Sequence, residues 1–438
     1  MARRHLLIGG GPGSVAAAEA IRGSDERAEI VMLCADRHGY YSRPGLAYYL
    51  SKELPEKRLA PFTPQDFAAL NVRLLLDRAV RIDRAAHRVT LASGGDLPYD
   101  RLLIATGSRA IPLKVPGAQL DGVVSLDDMD DARDLISRSR RAKAAVVVGG
   151  GITALEIVEG LHARGVQAHY FMRKERYWGN VLYPSESLIV ERGMRASGVQ
   201  IHYSTELAAI LGKGGRVAAV ETQDGKRIRC EIVAAAVGVL PQKALAEEAG
   251  LECGRGVLVD EHLRSTDDDI YAAGDVAEVH DARTGRRIYE VLWSSAVAKG
   301  RIAGLNMATG PVHTYDKGVP LNVTRLAGLR TTIMGTVGGG DDADLKGIAR
   351  GDSETWRQLG DGSVVESQSG DTRIRLALKK STIAGAVVMG DQAPSFRLHE
   401  LIEARADVGG IVPRLREPAA PVAQLIDGLW RDWKGRRA

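Results

Sequence analysis

Two periods of apolar residues alternate along the first third of the chain. HLLIG at residues 5–9 reads as a buried strand, SVAAAEAIR at 14–22 as an alanine-rich helix, and EIVML at 29–33 as the next buried strand. Together they predict a βαβ unit. The order returns with AAVVVGGG at 144–151, a helix through ALEIVEGLHARG at 154–165 and a strand in VQAHYFM at 166–172. The two starts lie about 140 residues apart, too far for a solenoid repeat, so each unit is expected to nucleate its own parallel sheet. Beyond residue 320 the pattern becomes period-two alternation, as in TRIRLALKK (372–380) and TIAGAVVMG (382–390), with turns such as GGGDDAD and GDGS. The fold class is therefore α/β: two Rossmann-like, doubly wound nucleotide-binding domains followed by a C-terminal α+β domain, ending in helices near 396–406 and 421–434.

Length and composition agree with this. At 438 residues, 45% hydrophobic and 26% charged, the chain has ordinary globular usage and room for two or three domains. Cys34, Cys230 and Cys253 form no CxxC or CxxxxC pair, so redox chemistry would have to come from a cofactor. The net charge is +4, and residues 412–438, with six Lys/Arg against three Asp/Glu, carry +3 of it. Charge so evenly dispersed over the rest gives no footprint for nucleic acid. The start, MARRHLLIGGGPGSVAAA, imitates a signal peptide, but three consecutive glycines argue against one, and no run of about 18 apolar residues occurs. A cytoplasmic enzyme is expected. Ten histidines show no HExxH spacing, so no metal is predicted.

Chemistry is concentrated in two glycine-rich turns. Gly9, Gly11 and Ser14 occupy the three glycine places of GxGxxG. Such a turn lets a pyrophosphate approach backbone N–H groups at a helix N-terminus, where the dipole favours negative charge. Ser14 departs from the pattern, although a small residue still permits close helix–strand packing. The acidic residue for ribose hydroxyls is expected about 20 residues on, where Cys34 and Asp36 stand, and Asp36 is the choice. In the second turn Gly149 and Gly151 match, with Ala154 in the third place. Met172 stands where a glutamate would bind ribose, followed by Arg173 and Lys174, which read either as partners of a 2′-phosphate, leaning toward NADPH, or as part of a solvated RKER turn.

In these motifs, and in their order, the chain resembles the FAD-dependent pyridine nucleotide-disulphide oxidoreductase superfamily. GGGPGS, including Pro12 and Gly13, is similar to its first motif, and YDRLLIATGSR (99–109) to its ATG segment. The resemblance implies that Ala105, Thr106 and Gly107 lie against FAD, with Arg109 near its phosphates. The second glycine turn, from Gly149 through Gly151 to Ile152, Thr153 and Ala154, then belongs to an inserted NAD(P)H-binding domain. VGVLP (237–241), with Gly238, resembles the return strand. STDDDIYAAGD (265–275) resembles the segment whose Gly274 and Asp275 hold the ribityl and phosphate region. The implied division is an FAD-binding domain over 1–115 and 246–320, a nicotinamide domain over 116–245 and an interface domain over 321–438.

YYSRPGLAYYL (40–50), WSSAVAKGRIAGLNMA (293–308) and AGAVVMGD (384–391) are similar to the branch of NADH-oxidase-like, nitrite-reductase-like and rubredoxin- or ferredoxin-reductase-like flavoproteins. The resemblance further implies cofactor contacts at Arg43, Pro44, Val80, Trp293 and Ala296. Pro44 stands where thiol-dependent members carry a lone cysteine, so no redox-active disulfide is expected. In several relatives a lysine four residues beyond this place pairs with a glutamate of the second Rossmann helix. Here Tyr48 stands there, Glu156 is the candidate glutamate, and Lys52 reads either as its replacement partner or as a surface residue. The helix near Ser294 or Ser295 is placed by the same resemblance to aim its N-terminus at the flavin, though its small residues also suit an ordinary core helix.

The function this implies is hydride transfer from NAD(P)H to FAD and onward passage of electrons to a carrier protein or small molecule, by a homodimer. Leu425, Ile426, Leu429, Trp430 and Trp433 recur at helical spacing beside Arg431, Lys434, Arg436 and Arg437. That face suits either an anionic membrane surface, as in a peripheral NADH:quinone dehydrogenase, or packing within the protein. A flavin-bound sensor or interaction protein, of apoptosis-inducing-factor-like type, is the other reading.

Overall fold

The computed structural model describes residues 2–281, 285–338, 362–370 and 372–436. Strand Arg4–Ile8 is the centre of a five-stranded parallel sheet, flanked on one side by Glu29–Cys34 and Val72–Leu76 and on the other by Arg101–Ile104 and Ile270–Ala272. Its central strands are near-continuous apolar runs, because elements cover both faces and leave no solvated side. Strand Ala144–Val148 is the centre of a second parallel sheet, with Gln167–Phe171 and Gln200–His202 on one side and Ile232–Ala235 and Val123–Val124 on the other. Each sheet reverses its strand order beside its central strand, which opens a crevice at the carboxyl ends of the strands. The two doubly wound units read from the sequence are thus present. Helix Ile152–His162 begins two residues earlier and ends three residues sooner than its pattern predicts; it terminates ahead of Gly165, whose φ is +79°.

The chain crosses between the two units twice, and the crossings are tied together. Ser108–Ala110 pairs antiparallel with Val239–Pro241, extended by Ile111 N–H to the Gly238 carbonyl and Gln242 N–H to the Gly107 carbonyl. Helix Trp293–Thr309 then returns to the first unit and lies on helix Pro12–Ser24. A Cβ on Gly300 would collide with the Gly13 carbonyl, and one on Gly304 with that of Ala17. The small residues of this helix therefore serve helix–helix packing, and only its N-terminal end reaches the large cleft described below. Gly300→Ala is expected to cost about 1–3 kcal/mol, because backbone rather than a yielding side chain must move, and urea denaturation measures it.

The third unit is an antiparallel sheet in the order Leu321–Leu326, Leu329–Gly335, Thr382–Met389, Thr372–Lys379, Ser363–Ser369. The GGGDDAD and GDGS turns lie, apart from Gly338, Gly362 and Ser363, outside the described residues. Helices Ser395–Glu403 and Val422–Gly435 cover one face, where Leu398, Leu401, Leu425 and Ile426 share a core with Ile374, Leu376 and Val388. Leu429, Trp430 and Trp433 pack at its edge, and Glu400 accepts hydrogen bonds from Trp430 Nε1 (2.5 Å) and Lys434 Nζ (2.6 Å). The apolar stripe offered to a membrane is thus used by the helix's own unit, since burying it there removes it from water without a partner. Among the described residues no helix is long and apolar enough to cross a membrane. On its other side this sheet joins the second unit: Leu326, Ile333 and Met389 enter the core formed by Leu155, Val158 and Tyr170. Arg375, wholly buried, reaches across to Glu186.

Candidate functional site

A cleft of about 1410 Å³ opens where the three units meet. Single small-ligand sites usually enclose about 300–1,000 Å³, so this one has room for more than one bound molecule. Its first wall is the glycine turn. Gly9 has φ +124°, and a side chain there would strike the Ala105 carbonyl. Gly10 lies against Cys34 Sγ, whereas a Cβ at Gly11 would meet nothing within 4 Å. Gly11 is also the N-cap of the 13-residue helix Pro12–Ser24, with no side chain capping it. Open space before an uncapped helix N-terminus suits a phosphate. Pro12 and Gly13 line the cleft; Ser14 does not, being buried beneath it with an unpartnered hydroxyl.

The strand ends supply the next wall. Asp36 faces the cleft, accepts from Tyr41 Oη at 2.7 Å and His38 N–H at 2.9 Å, and lies 3.8 Å from Arg43. Arg43 and Pro44 line the cleft, and Arg43 also donates to the Asp127 carbonyl (2.8 Å), tying the wall to the start of the second unit. Val80, Ala105, Thr106, Gly107 and Arg109 line it as well. The Thr106 hydroxyl is committed to the Gln242 carbonyl at 2.7 Å, and Gln242 Nε2 returns a bond to the Thr106 carbonyl at 2.9 Å, so Thr106 meets a ligand with its backbone and methyl group. Gly238 lies outside the cleft, where φ +116° turns the chain into its return strand.

The floor carries Gly274, Asp275, Trp293 and Ala296. Burial pushes the Asp275 carboxyl above the usual range, opposed by a 2.7 Å hydrogen bond from Ser108 and the charge of Lys299. Ser108 was not singled out in the sequence although it follows Gly107 directly; its position inside the ATG segment was the available signal. Trp293 is 52% exposed.

The second unit closes the cleft with Ile152, Thr153 and Glu156, the first helical turns after Gly149–Gly151. Gly149 lies behind them, where a Cβ would strike the Ala236 carbonyl; Gly151 caps the helix, and Ala154 is buried beneath the turn. Gly149 N–H bonds to the Phe171 carbonyl, which sets Met172 beside this turn and places exposed Arg173 and Lys174 just beyond it, outside the cleft. Glu156 still touches the cavity, yet the protein packed around it pushes its carboxyl up to about 8; Glu159 adds to the rise and Arg325 opposes it.

The structure corrects the partner proposed for Glu156. Lys52, at φ +69°, turns away and donates from Nζ to the Ala163 carbonyl at 2.9 Å, at the far end of the helix that carries Glu156. The cation beside Glu156 is Arg325, from the first strand of the third sheet. It bonds Glu53 with both terminal nitrogens, lies 4.0 Å from Glu159 and stands over the Tyr48 ring at 5.9 Å. Tyr48, Glu156, Glu159 and Arg325 enclose a small void continuous in lining with the cleft. No sequence motif marks Arg325, because only the docking of the third sheet brings it there.

None of the three cysteines forms a disulfide. Cys34 touches the cleft, but burial raises its thiol pKa and it donates to the Asp36 carbonyl. Thiolate chemistry is disfavoured there.

The family described as pyridine nucleotide-disulphide oxidoreductase matches residues 3–300. The ferredoxin–NAD(+) reductase component of the biphenyl dioxygenase system of Paraburkholderia xenovorans is 30% identical over 355 residues, 81% of this chain and 85% of that one. The rubredoxin–NAD(+) reductase of Pseudomonas putida is 29% identical over 300 residues, 68% and 78% of the two chains. The crystal structure of the ferredoxin reductase for the CYP199A2 system of Rhodopseudomonas palustris superposes with a TM-score of 0.81 at 25% identity, covering 93% of this chain and 98% of that one.

Proposed function

Because the chain belongs to the pyridine nucleotide-disulphide oxidoreductase family, we propose that the acceptor of its electrons is a small carrier protein of ferredoxin or rubredoxin type. The chain is an FAD-dependent NAD(P)H oxidoreductase. One observation carries the assignment of the site: a single cleft, large enough for two ligands, is walled by the open helix N-terminus at Gly11 and Pro12 and by Ile152, Thr153 and Glu156 of the second unit. The bound flavin supplies the exchange between two-electron transfer from the nicotinamide and single-electron delivery to a carrier. The protein's own part is binding and orientation, which for well-aligned reactants is worth about 7–11 kcal/mol of barrier.

In this reading the Pro12 helix N-terminus holds the flavin pyrophosphate, Asp36 binds ribose hydroxyls, and the N-terminal turn of helix Trp293–Thr309 directs its dipole toward the ring system. The turn at Gly149–Gly151 receives the nicotinamide dinucleotide, with Glu156 toward the reacting ring. Trp293, more than half exposed at the cleft, is the aromatic surface on which a carrier would seat. With no sulfur pair adjoining the cleft, electrons leave from the flavin itself. A division into an FAD-binding part, a nicotinamide-binding part and an interface part, a homodimer and a cytoplasmic location belong to the same reading and rest on family resemblance.

The test is anaerobic stopped-flow reduction by NADH and NADPH, followed by mixing with ferredoxin, rubredoxin and small-molecule acceptors. Rapid oxidation by an iron–sulfur or rubredoxin carrier supports the proposal; oxidation by quinone or oxygen alone sinks it. Arg173 and Lys174 are proposed to meet a 2′-phosphate. Arg173→Glu is then expected to lower kcat/KM for NADPH about tenfold relative to NADH, the loss of one charge-assisted contact. An unchanged ratio removes Arg173 from the site.

A further inference from the structure

Two buried ionisable groups, Lys299 and Glu290, lie outside the cleft lining. Lys299 has no exposed surface, and its Nζ has no hydrogen-bond partner. It stands 5.9 Å from the centre of the Tyr315 ring, and the charges acting on it are those of Glu290 and Asp275. Glu290 is itself buried: one oxygen accepts from Tyr315 Oη at 3.0 Å and the other is unpartnered. Asp275, on the cleft floor, takes the Ser108 hydroxyl. Burial lowers the Lys299 pKa while the charges of Glu290 and Asp275 raise it, and Lys299 sits about two helical turns inside the Trp293 end that reaches the cleft.

An ammonium buried without hydrogen bonds is costly, and an apolar side chain of equal length would fill the same space at less cost. Its presence is explained by what its charge does to its surroundings. An isoalloxazine that takes up a hydride gains one negative charge, and a fixed cation in a low-dielectric neighbourhood favours that state. Removing the cation disfavours it, and removing a nearby carboxylate does the opposite.

We propose that Lys299 is a positioning residue whose charge, balanced between Asp275 and Glu290, sets the reduction potential of the flavin held in the cleft. This rests on the flavin occupying the cleft as proposed above. The test is spectroelectrochemical titration of the flavin-loaded protein and its variants. Lys299→Met is expected to lower the midpoint potential by about 30 mV or more, a tenfold change in the two-electron equilibrium. Glu290→Gln is expected to raise it, and Lys299→Arg to stay near the parent. If Lys299→Met fails to fold, Glu290→Gln and Lys299→Arg decide by the same signs. Potentials that do not move, or that move in one direction for both charge-removing variants as a packing defect would cause, overturn the proposal while leaving the flavin site standing. A parent protein that binds no FAD overturns the site and the proposal together.

Discussion

Reduction of the protein by NADH is expected to accelerate about tenfold between pH 7 and pH 9 with a break near 8, and Glu156→Gln is expected to flatten that profile at its low-pH level. A nicotinamide ring that gives up hydride becomes positively charged, and a carboxylate across the cleft favours that charge where a neutral carboxyl does not. Burial holds Glu156 protonated up to about 8, so the favourable form is gained only above neutrality. Arg325 is the charge that opposes this rise, and Arg325→Met should move the break up by about one unit, whereas Lys52→Met, turned toward Ala163, should leave it in place. Single-turnover reduction rates across pH measure all three; a profile of Glu156→Gln that still breaks near 8 assigns the ionisation elsewhere. The same shift has a consequence for stability. The folded chain keeps a proton that an unfolded glutamate releases near 4.3, so this group's contribution falls as pH rises from about 4.3 to about 8 and is lowest above that. Thermal melts of the parent and Glu156→Gln should coincide relative to one another at pH 4 and separate by pH 9, with the variant the more stable.

Arg375→Met is expected to destabilise the protein by about 3–5 kcal/mol, the cost of leaving a buried carboxylate without its partner. Arg375 and Glu186 are both wholly enclosed; Arg375 Nε donates to Glu186 Oε1 at 2.7 Å, its terminal nitrogens donate to the Val181 and Val337 carbonyls, and its guanidinium lies 4.1 Å from the Tyr183 ring centre. All but Val337 belong to the second unit, so one side chain of the third sheet satisfies two acceptors across the junction and a third within its own unit. Replacing both charges, in Arg375→Met with Glu186→Leu, should recover most of the loss, because no unpaired charge is then buried. Urea denaturation of the three variants tests this. A double variant as unstable as the single one would assign the loss to the carbonyls and to packing rather than to the ion pair.

Both predictions concern the junction of the three units, which is where reading the chain alone stops. The βαβ unit at the head of each parallel sheet was legible because apolar period and glycine spacing are local properties: residues 5–9 and 144–148 can form little but buried strands, and Gly9 and Gly149 need conformations that a side chain would obstruct. Asp36, Thr106, Gly107 and Asp275 followed from their places beside such elements and from family resemblance, and all four line the cleft. Of the two readings of Lys52, partner of Glu156 or surface residue, the surface one holds. Helical spacing from Tyr48 put it near Glu156, but the short helix Gly45–Leu50 ends before it, and at φ +69° the next residues leave in another direction.

What the amino-acid sequence determined by itself is the pair of nucleotide cradles, because each is made within some thirty consecutive residues whose geometry depends on near neighbours. Only the tertiary structure decided what surrounds them: that Gly300 and Gly304 serve a helix–helix contact, that the aromatic C-terminal stripe covers its own sheet, and that Arg325, Lys299 and Arg375 bring charge to buried places. Those outcomes depend on distances between residues far apart in the chain. The free energy of burying or pairing a charge is set by such distances and by the dielectric around them, and neither is a property of local spacing.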